Sequence, residues 1–388
     1  MSSDPRPSLT QLFKAFLRLG LIAFGGPSMV AYIRAMSVDK KRWLDLETFN
    51  DGVALCQMIP GATAMQTAAY VGLRTRGMVG AVASYIGFGL PAFLLMMAFA
   101  ALYASAHTVP VVVSAFDGLQ AIVVSLIAHA ALSFGRNVLR SWRHAAISIV
   151  AAILFGLRMH PILVLLAAAM GGLALLRSRQ PALRGDIPSM PMRSTKRPLL
   201  VILSITALLF FLLFIFEREL FRLGVLLFRI DLLAFGGGFS SVPLMFHEVV
   251  DVRHWMDGST LMNGIALGQI TPGPIVITAT FIGYLLHGPL GGLVATISVF
   301  TPSFMLVTGA APYFDRLRTS PSFNKVISAI LCSFVGLLFA VTVRFAWGVH
   351  WDVRHVLLAS AAFIALLFKI DILWVVAAGV VISVALFT

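Results

Sequence analysis

Charged side chains are scarce in this chain, 12% of 388 residues, where soluble domains carry about 25%. Acidic residues are scarcer still, 16 against 29 Lys and Arg, and 59% of residues are hydrophobic. That balance excludes a soluble globular domain and predicts a polytopic membrane protein. Two cysteines occur, Cys56 and Cys332, both inside apolar segments, so no disulfide framework is expected. The first eight residues are polar and lead into no cleavable apolar core, so no signal peptide is expected. No HExxH, GxSxG, P-loop or CxxC pattern occurs. Neither a metal site, a cofactor nor an enzymatic nucleophile is therefore expected. The net charge of +13 does not form a continuous stripe with interleaved aromatics; it lies in short segments between apolar runs, the pattern of cytoplasmic loops. The expected surroundings are the lipid bilayer, with no nucleic-acid partner.

Five apolar runs reach the roughly 20 residues that a helix needs to cross a bilayer: 78–105, 109–134, 199–216, 290–314 and 322–343. The fold class is all-α. Shifting the sequence by 211 or 212 positions brings its halves into register. Arg18 falls on Arg229, Phe24-Gly25-Gly26 on Phe235-Gly236-Gly237, Trp43 on Trp255, Gln57 on Gln269, Pro60-Gly61 on Pro272-Gly273, and Thr67 on Thr278. The register continues through Gly77 and Gly288, Pro91 and Pro302, and Arg158 and Lys369. This is an internal duplication of the kind many transporters are built from. The expected units are a first repeat over 1–177, a basic loop with an extra helix over 178–219, and a second repeat over 220–388.

One unpaired helix between repeats of even crossing number turns the second repeat upside down. Loop charge agrees with inversion. Arg74 and Arg76 have an uncharged counterpart around His287, whereas residues 106–110, without Lys or Arg, have a counterpart carrying Arg316, Arg318 and Lys325. The loop 177–198 is then expected in the cytoplasm. Residues 46–59 and 62–76 are too short to cross singly at 1.5 Å per residue. They form either a re-entrant hairpin or the parts of a broken helix, and the break at Gly25-Gly26-Pro27 poses the same choice. Re-entrant breaks give four crossings per repeat; crossing breaks give thirteen in all.

The breaks are the candidate site. A Pro-Gly turn followed by a new helix exposes N–H groups that lack intrahelical partners, and with the macrodipole these favour an anion. Pro60 and Gly61, with Gln57, Thr63, Gln66 and Thr67, and Pro272 and Gly273, with Gln269, Thr271 and Thr278, are candidate oxyanion ligands. The alternative is that Pro and Gly merely kink packed helices while Thr bonds back to its own backbone. Gly25, Gly26, Gly236, Gly237 and Gly238 are read as a second pair of unwound, cavity-lining turns, or else as small residues at a helix contact. Arg18 and Arg229, each six residues before an FGG, either balance a dianion or snorkel to the interface. Glu47, Asp51 and Asp231 are candidates for an Arg partner or a coupling proton.

These motifs resemble the chromate ion transporters in their long, two-domain form. The resemblance rests on Phe24-Gly25-Gly26-Pro27 and Phe235-Gly236-Gly237-Gly238, on Trp43 and Trp255, and above all on GQITPGPIVITATFIGY from Gly268 to Tyr284. It implies halves of opposite orientation in a bacterial or archaeal inner membrane and secondary export of chromate, driven by membrane potential or exchange, conferring chromate resistance. The family's first-half PGP departs here to Pro60-Gly61-Ala62, which leaves chromate and the near-isosteric sulfate both open as the oxyanion partner. A non-transporting membrane scaffold or intramembrane enzyme is the alternative of another class, and a homodimer is a further expectation, from the flat helical faces through which many transporters associate.

Overall fold

In hydrocarbon each backbone N–H and C=O must find a partner within the protein, and this chain finds them as helix. A computed structural model describes residues 7–24, 27–176, 196–314 and 319–387. Among the described residues there are 15 α-helices and no strand. The first repeat runs α1 (Leu9–Ile22), α2 (Pro27–Arg34), α3 (Leu46–Met58), α4 (Thr63–Ala106), α5 (Pro110–Val138), α6 (Trp142–Gly156) and α7 (Pro161–Leu175). The linker helix is α8 (Lys196–Phe216). The second repeat runs α9 (Arg218–Leu233), α10 (Ser241–Met245), α11 (Gly258–Ile270), α12 (Thr278–Ala310), α13 (Pro321–Gly348), α14 (Val353–Leu367) and α15 (Ile372–Phe387).

The duplication extends to backbone irregularities. A π-helical turn follows α2 at Ala35–Lys40 and α10 at Phe246–Val252. Left-handed φ recurs in register at Arg42 and His254, Gly61 and Gly273, Gly77 and Gly288, and Arg158 and Lys369. At Gly77 and Gly288 it folds α4 and α12 into hairpins, so neither is one continuous rod. The arms close on small residues: Gly72 packs against Gly80 and Gly283 against Gly291, with no room for a Cβ. Ser84 Oγ also donates to Ala68 O at 2.7 Å between the first pair of arms.

The same antiparallel logic settles the breaks. Gly52 of α3 packs on the Tyr70 ring and Gly264 of α11 on the Phe281 ring, so in each repeat the chain returns along the helix that preceded the Pro-Gly turn. Both turns are tips of re-entrant hairpins. α1 runs beside the long arm of α4, with Phe16 edge-on to Phe88 at 6.4 Å and Arg76 Nε donating to Pro7 O at 2.6 Å. α1 and α3 therefore start on the same face, and the chain between them also enters the membrane and turns back. What remains in each repeat is an even set of four apolar helices, 78–106 with α5, α6 and α7, and 289–310 with α13, α14 and α15, with α8 unpaired between the sets; α6 with α7, and α14 with α15, are shorter antiparallel pairs of 15 or 16 residues each. The second repeat is inverted.

Lys40, Lys41, Arg42, Arg74, Arg76, Arg140 and Arg143 gather on one face, while Glu217, Arg218, Asp251, Arg253, Asp257 and Asp352 mix on the other. The basic face is the cytoplasmic one by the positive-inside rule. Most of the loop 177–198, and Arg316 and Arg318, lie outside the described residues.

The repeats interlock. α5 packs on α14 and α15, and α13 on α6 and α7. Ser125 Oγ of α5 donates to Ala359 O of α14 at 2.8 Å, and at the equivalent place in the other repeat Gly336 of α13 lies against the Ser148 carbonyl of α6. Lipid-like surfaces between helices give little hydrophobic drive, so such close small-residue contacts do much of the packing. Most of the buried apolar residues form one continuous cluster drawn from both repeats.

Candidate functional site

The two re-entrant tips are held by an exchange between the repeats. Gly61 N donates to Ala234 O at 2.8 Å, and Gly273 N donates to Ala23 O at 3.1 Å. Ala23 and Ala234 end α1 and α9. Each tip therefore satisfies the frayed end of the other repeat's first helix. Only glycine fits these tips: φ is +115° at Gly61 and +127° at Gly273.

Beside the tips lies a cavity of about 1350 Å³. It runs from exposed Arg140 and Trp142 at its rim to buried Gln269, Gly273 and Pro274 at its floor. Arg34, Arg140, Arg143 and Lys325 line it, and among the described lining residues none is acidic. Walls of low dielectric with charge of one sign focus a field that draws anions inward.

At the floor, Gln269 is 8% exposed and its Nε2 has no hydrogen-bond partner. An unpaired buried donor is uncommon in folded proteins, and this one lies on the cavity wall, free to donate to a group that enters. α4 begins at Thr63 with no capping side chain, so the N–H groups of Thr63, Ala64 and Met65 have no intrahelical acceptor, and the first two of these residues line the cavity. Gln57, exposed to the cavity, stands on the preceding arm. The Gly236-Gly237-Gly238 turn forms a further wall, with φ of +87° and +102° at its first two residues, and Gly237 faces the Thr63 hydroxyl.

The structure thus brings Gln57, Thr63, Gln269, Gly273 and the Gly236 to Gly238 turn together. Pro60, Gly61, Gln66, Thr67, Thr271, Pro272 and Thr278 pack behind this surface. Thr67, Thr271 and Thr278 each donate to a backbone carbonyl within their own turn, at 2.8 Å in every case. Gln66 Nε2 donates to Pro60 O at 2.5 Å, bracing the first tip. Arg18 and Arg229 are exposed on the outer faces of α1 and α9, away from the cavity; Arg229 borders a small cleft with His160 and Glu248. Glu47 is exposed in the first turn of α3 and Asp51 is half-buried one turn later. Asp231 is fully buried at the end of α9. Gly25 and Gly26 lie outside the described residues.

The rim cations belong to no motif, since each reads as an ordinary loop charge. Their common signal was the charge asymmetry itself, since all four belong to the basic face.

The path related to this cavity by the pseudo-twofold axis is shut. The counterpart of Phe134, a lining residue, is Phe345, which stacks edge-on against Phe246 at 5.2 Å. Arg344 pairs with Asp251 and lies over the Phe155 and Phe246 rings. The counterpart of Ser328 is Asp117, which bonds His355 at 3.2 Å, and Asn263 joins Gln120 and Tyr103, each at 3.1 Å. Where the cytoplasmic side has open space, the opposite side has rings and ion pairs.

The family model described as "Chromate transporter" matches residues 10–173 and again 221–384. An uncharacterized transporter of Methanocaldococcus jannaschii is 43% identical over 385 residues, 99% of this chain and 96% of the relative. A chromate transport protein of Pseudomonas aeruginosa is 30% identical over 348 residues, 88% of this chain and 82% of that one. A second, from Cupriavidus metallidurans, is 29% identical over 371 residues, 94% and 89% of the two chains. No solved structure matches.

Proposed function

The chain belongs to the chromate transporter family, and from that premise we propose that it is a secondary transporter that exports chromate from the cytoplasm by alternating access. The observation that carries this reading is the unpaired Gln269 amide at the floor of a cavity whose charged lining, among the described residues, is wholly basic. A tetrahedral dianion needs cations to draw it from water and N–H donors to replace its hydration. Arg34, Arg140, Arg143 and Lys325 supply the first. Gln269 Nε2 and the free amides at the start of α4 supply the second.

The closed counterpart path supports the alternating step. Both paths are built from equivalent elements of inverted repeats, so exchanging the two packings exposes the same floor to the opposite side. Export lowers cytoplasmic chromate and so confers resistance on the cell. The names of the Pseudomonas and Cupriavidus relatives favour chromate as the substrate.

Proteoliposomes carrying labelled chromate or sulfate, each with and without a pH gradient, test the reading. Saturable chromate flux that exceeds sulfate flux is expected. Equal fluxes would make the protein a general oxyanion carrier, and flux of neither would leave a scaffold or intramembrane enzyme.

A further inference from the structure

We propose that Asp231 is a proton-binding site that couples protonation to the geometry of the first re-entrant tip; this rests on the transport reading above. Asp231 is 0% exposed. Its Oδ2 accepts from Ser303 N at 2.8 Å and from Ser303 Oγ at 2.7 Å, while Oδ1 has no partner. Ser303 Oγ in turn accepts from Ala62 N at 3.0 Å. One acid on α9, one hydroxyl on α12 and one amide of the opposite repeat thus form a single chain of hydrogen bonds. Three residues further along, Ala234 O takes the Gly61 amide of that same tip.

The duplication supplies an internal control. In register, Asp231, Ser303 and Ala62 fall on Gly20, Ala92 and Pro274. There the acid is absent, the hydroxyl is absent, and proline removes the N–H that would need them. The fold builds the second tip without any of these polar groups, so the scaffold does not require the acid. Their joint presence in one repeat is what the departure at Ala62 entails.

Among the described residues no cation balances the carboxyl. On α9 itself Arg218, Glu219, Arg222 and Arg229 are exposed. α12 offers Ser303 here, and its His287 is exposed at the hairpin turn. α10 has no charged residue, and α8 carries Lys196 and Arg197 in its first turn, at the end remote from Phe210, which packs on α9. Tyr85 of α4 is the titratable group that faces Asp231, and its hydroxyl donates to Phe300 O at 2.6 Å. A buried carboxylate with one bare oxygen and no cation is costly, so in this arrangement the proton sits on Oδ1. Loss of that proton charges Oδ2, tightens both Ser303 bonds and polarises the link to Ala62. The ionised form then favours a packing in which water reaches Oδ1. The balance is one proton gained from water on one side of the membrane and released on the other.

Two measurements test this. Infrared spectroscopy of the purified protein in lipid at neutral pH should show a protonated buried carboxyl band that D231N lacks; an unchanged spectrum would overturn the assignment whatever the flux assay gives. In proteoliposomes clamped at zero membrane potential, a pH gradient should change wild-type chromate flux severalfold. D231N, fixed in the neutral form, should lose that response while keeping exchange of labelled for unlabelled chromate, which moves no net proton. A D231N response equal to wild type, or loss of exchange together with the response, would refute the proposal. Absence of flux in the wild type would instead remove the transport reading and leave the infrared result to stand alone.

Discussion

Gly61 of the first repeat gives its amide proton to the carbonyl of Ala234 in the second, 2.8 Å away, and the equivalent bond runs back from Gly273 to Ala23. The two halves of the duplication are therefore mutually capped. A shift of one tip relative to the other repeat must break or slide one of these bonds, which makes the pair a natural seat for a two-state motion.

Gly273→Leu should abolish uptake of chromate into inverted membrane vesicles. The backbone there has φ of +127°, and a Cβ would meet Ala92. Forcing a side chain into that conformation costs about 1–3 kcal/mol before any clash is counted. Unchanged transport by a correctly inserted variant would remove the tips from the site.

Gln269→Leu should leave thermal stability unchanged or slightly raised, since it removes a buried unpaired donor. Chromate affinity should fall by roughly tenfold to a hundredfold, the loss expected for one hydrogen bond to a charged group at about 1.5–3 kcal/mol. Concentration dependence of flux beside a melting curve checks both. A stability loss with intact affinity would contradict the placement of that amide toward the anion.

Charge reversal at the rim, as in R34E or R140E, should raise the apparent KM severalfold at low ionic strength with little change in maximal rate. The difference should shrink as salt approaches about 1 M, where the screening length falls to about 3 Å. A salt-independent defect would point to a local structural role instead.

Removing the ion pair that shuts the far path, with R344A, should open that path. Asp251 would be left with its His247 contact at 3.8 Å, and the cost is at most about 3 kcal/mol because both partners keep some exposure. In N263C, a cysteine at this buried position should become reactive to an impermeant maleimide from the non-cytoplasmic side once R344A is added. Equal labelling with and without R344A would deny Arg344 a gating role.

Asp45 and Asp257 cap the entering helices α3 and α11, accepting the amides of Thr48 at 2.7 Å and Thr260 at 2.6 Å. Desolvation works against their charge, but these N–H bonds prevail and hold both carboxyls below the usual range. A lowered pKa in the folded state means stability that is full above the ordinary carboxylate value and is lost as pH falls through the depressed one. D45A or D257A should each cost about 1 kcal/mol at neutral pH, and the gap to wild type should close under acid. A gap that persists at low pH would show that the caps act by packing rather than by charge.

Much of this protein was legible because membranes impose simple rules. The scarcity of charge forces helices, the loop charges set orientation, and the repetition of Phe-Gly-Gly, Trp and Gln-x-x-Pro-Gly marks equivalent positions. Gln57 and Gln269 are legible from their distance to the breaks, and both line the cavity. Gln66 stands at a similar distance and instead turns back onto Pro60, because one helical turn decides which way an amide faces. Arg18 and Arg229 sit at a repeated spacing, yet that spacing keeps them on the exposed face of an amphipathic helix. Ser303 carried no signal, since a serine after a proline in an apolar run reads as an ordinary kink.

The amino-acid sequence alone determined the helical membrane fold, the duplication, its inversion and the places where the helices break. Those depend on local composition and on residues compared with their own counterparts. Whether each break bends back or crosses was decided only in three dimensions, because two short apolar helices read identically either way until Gly52 meets Tyr70 and Gly264 meets Phe281. So was the linkage of Asp231, Ser303 and Ala62, whose members lie 72 and 241 positions apart along the chain and are joined only where one repeat's tip docks on the other.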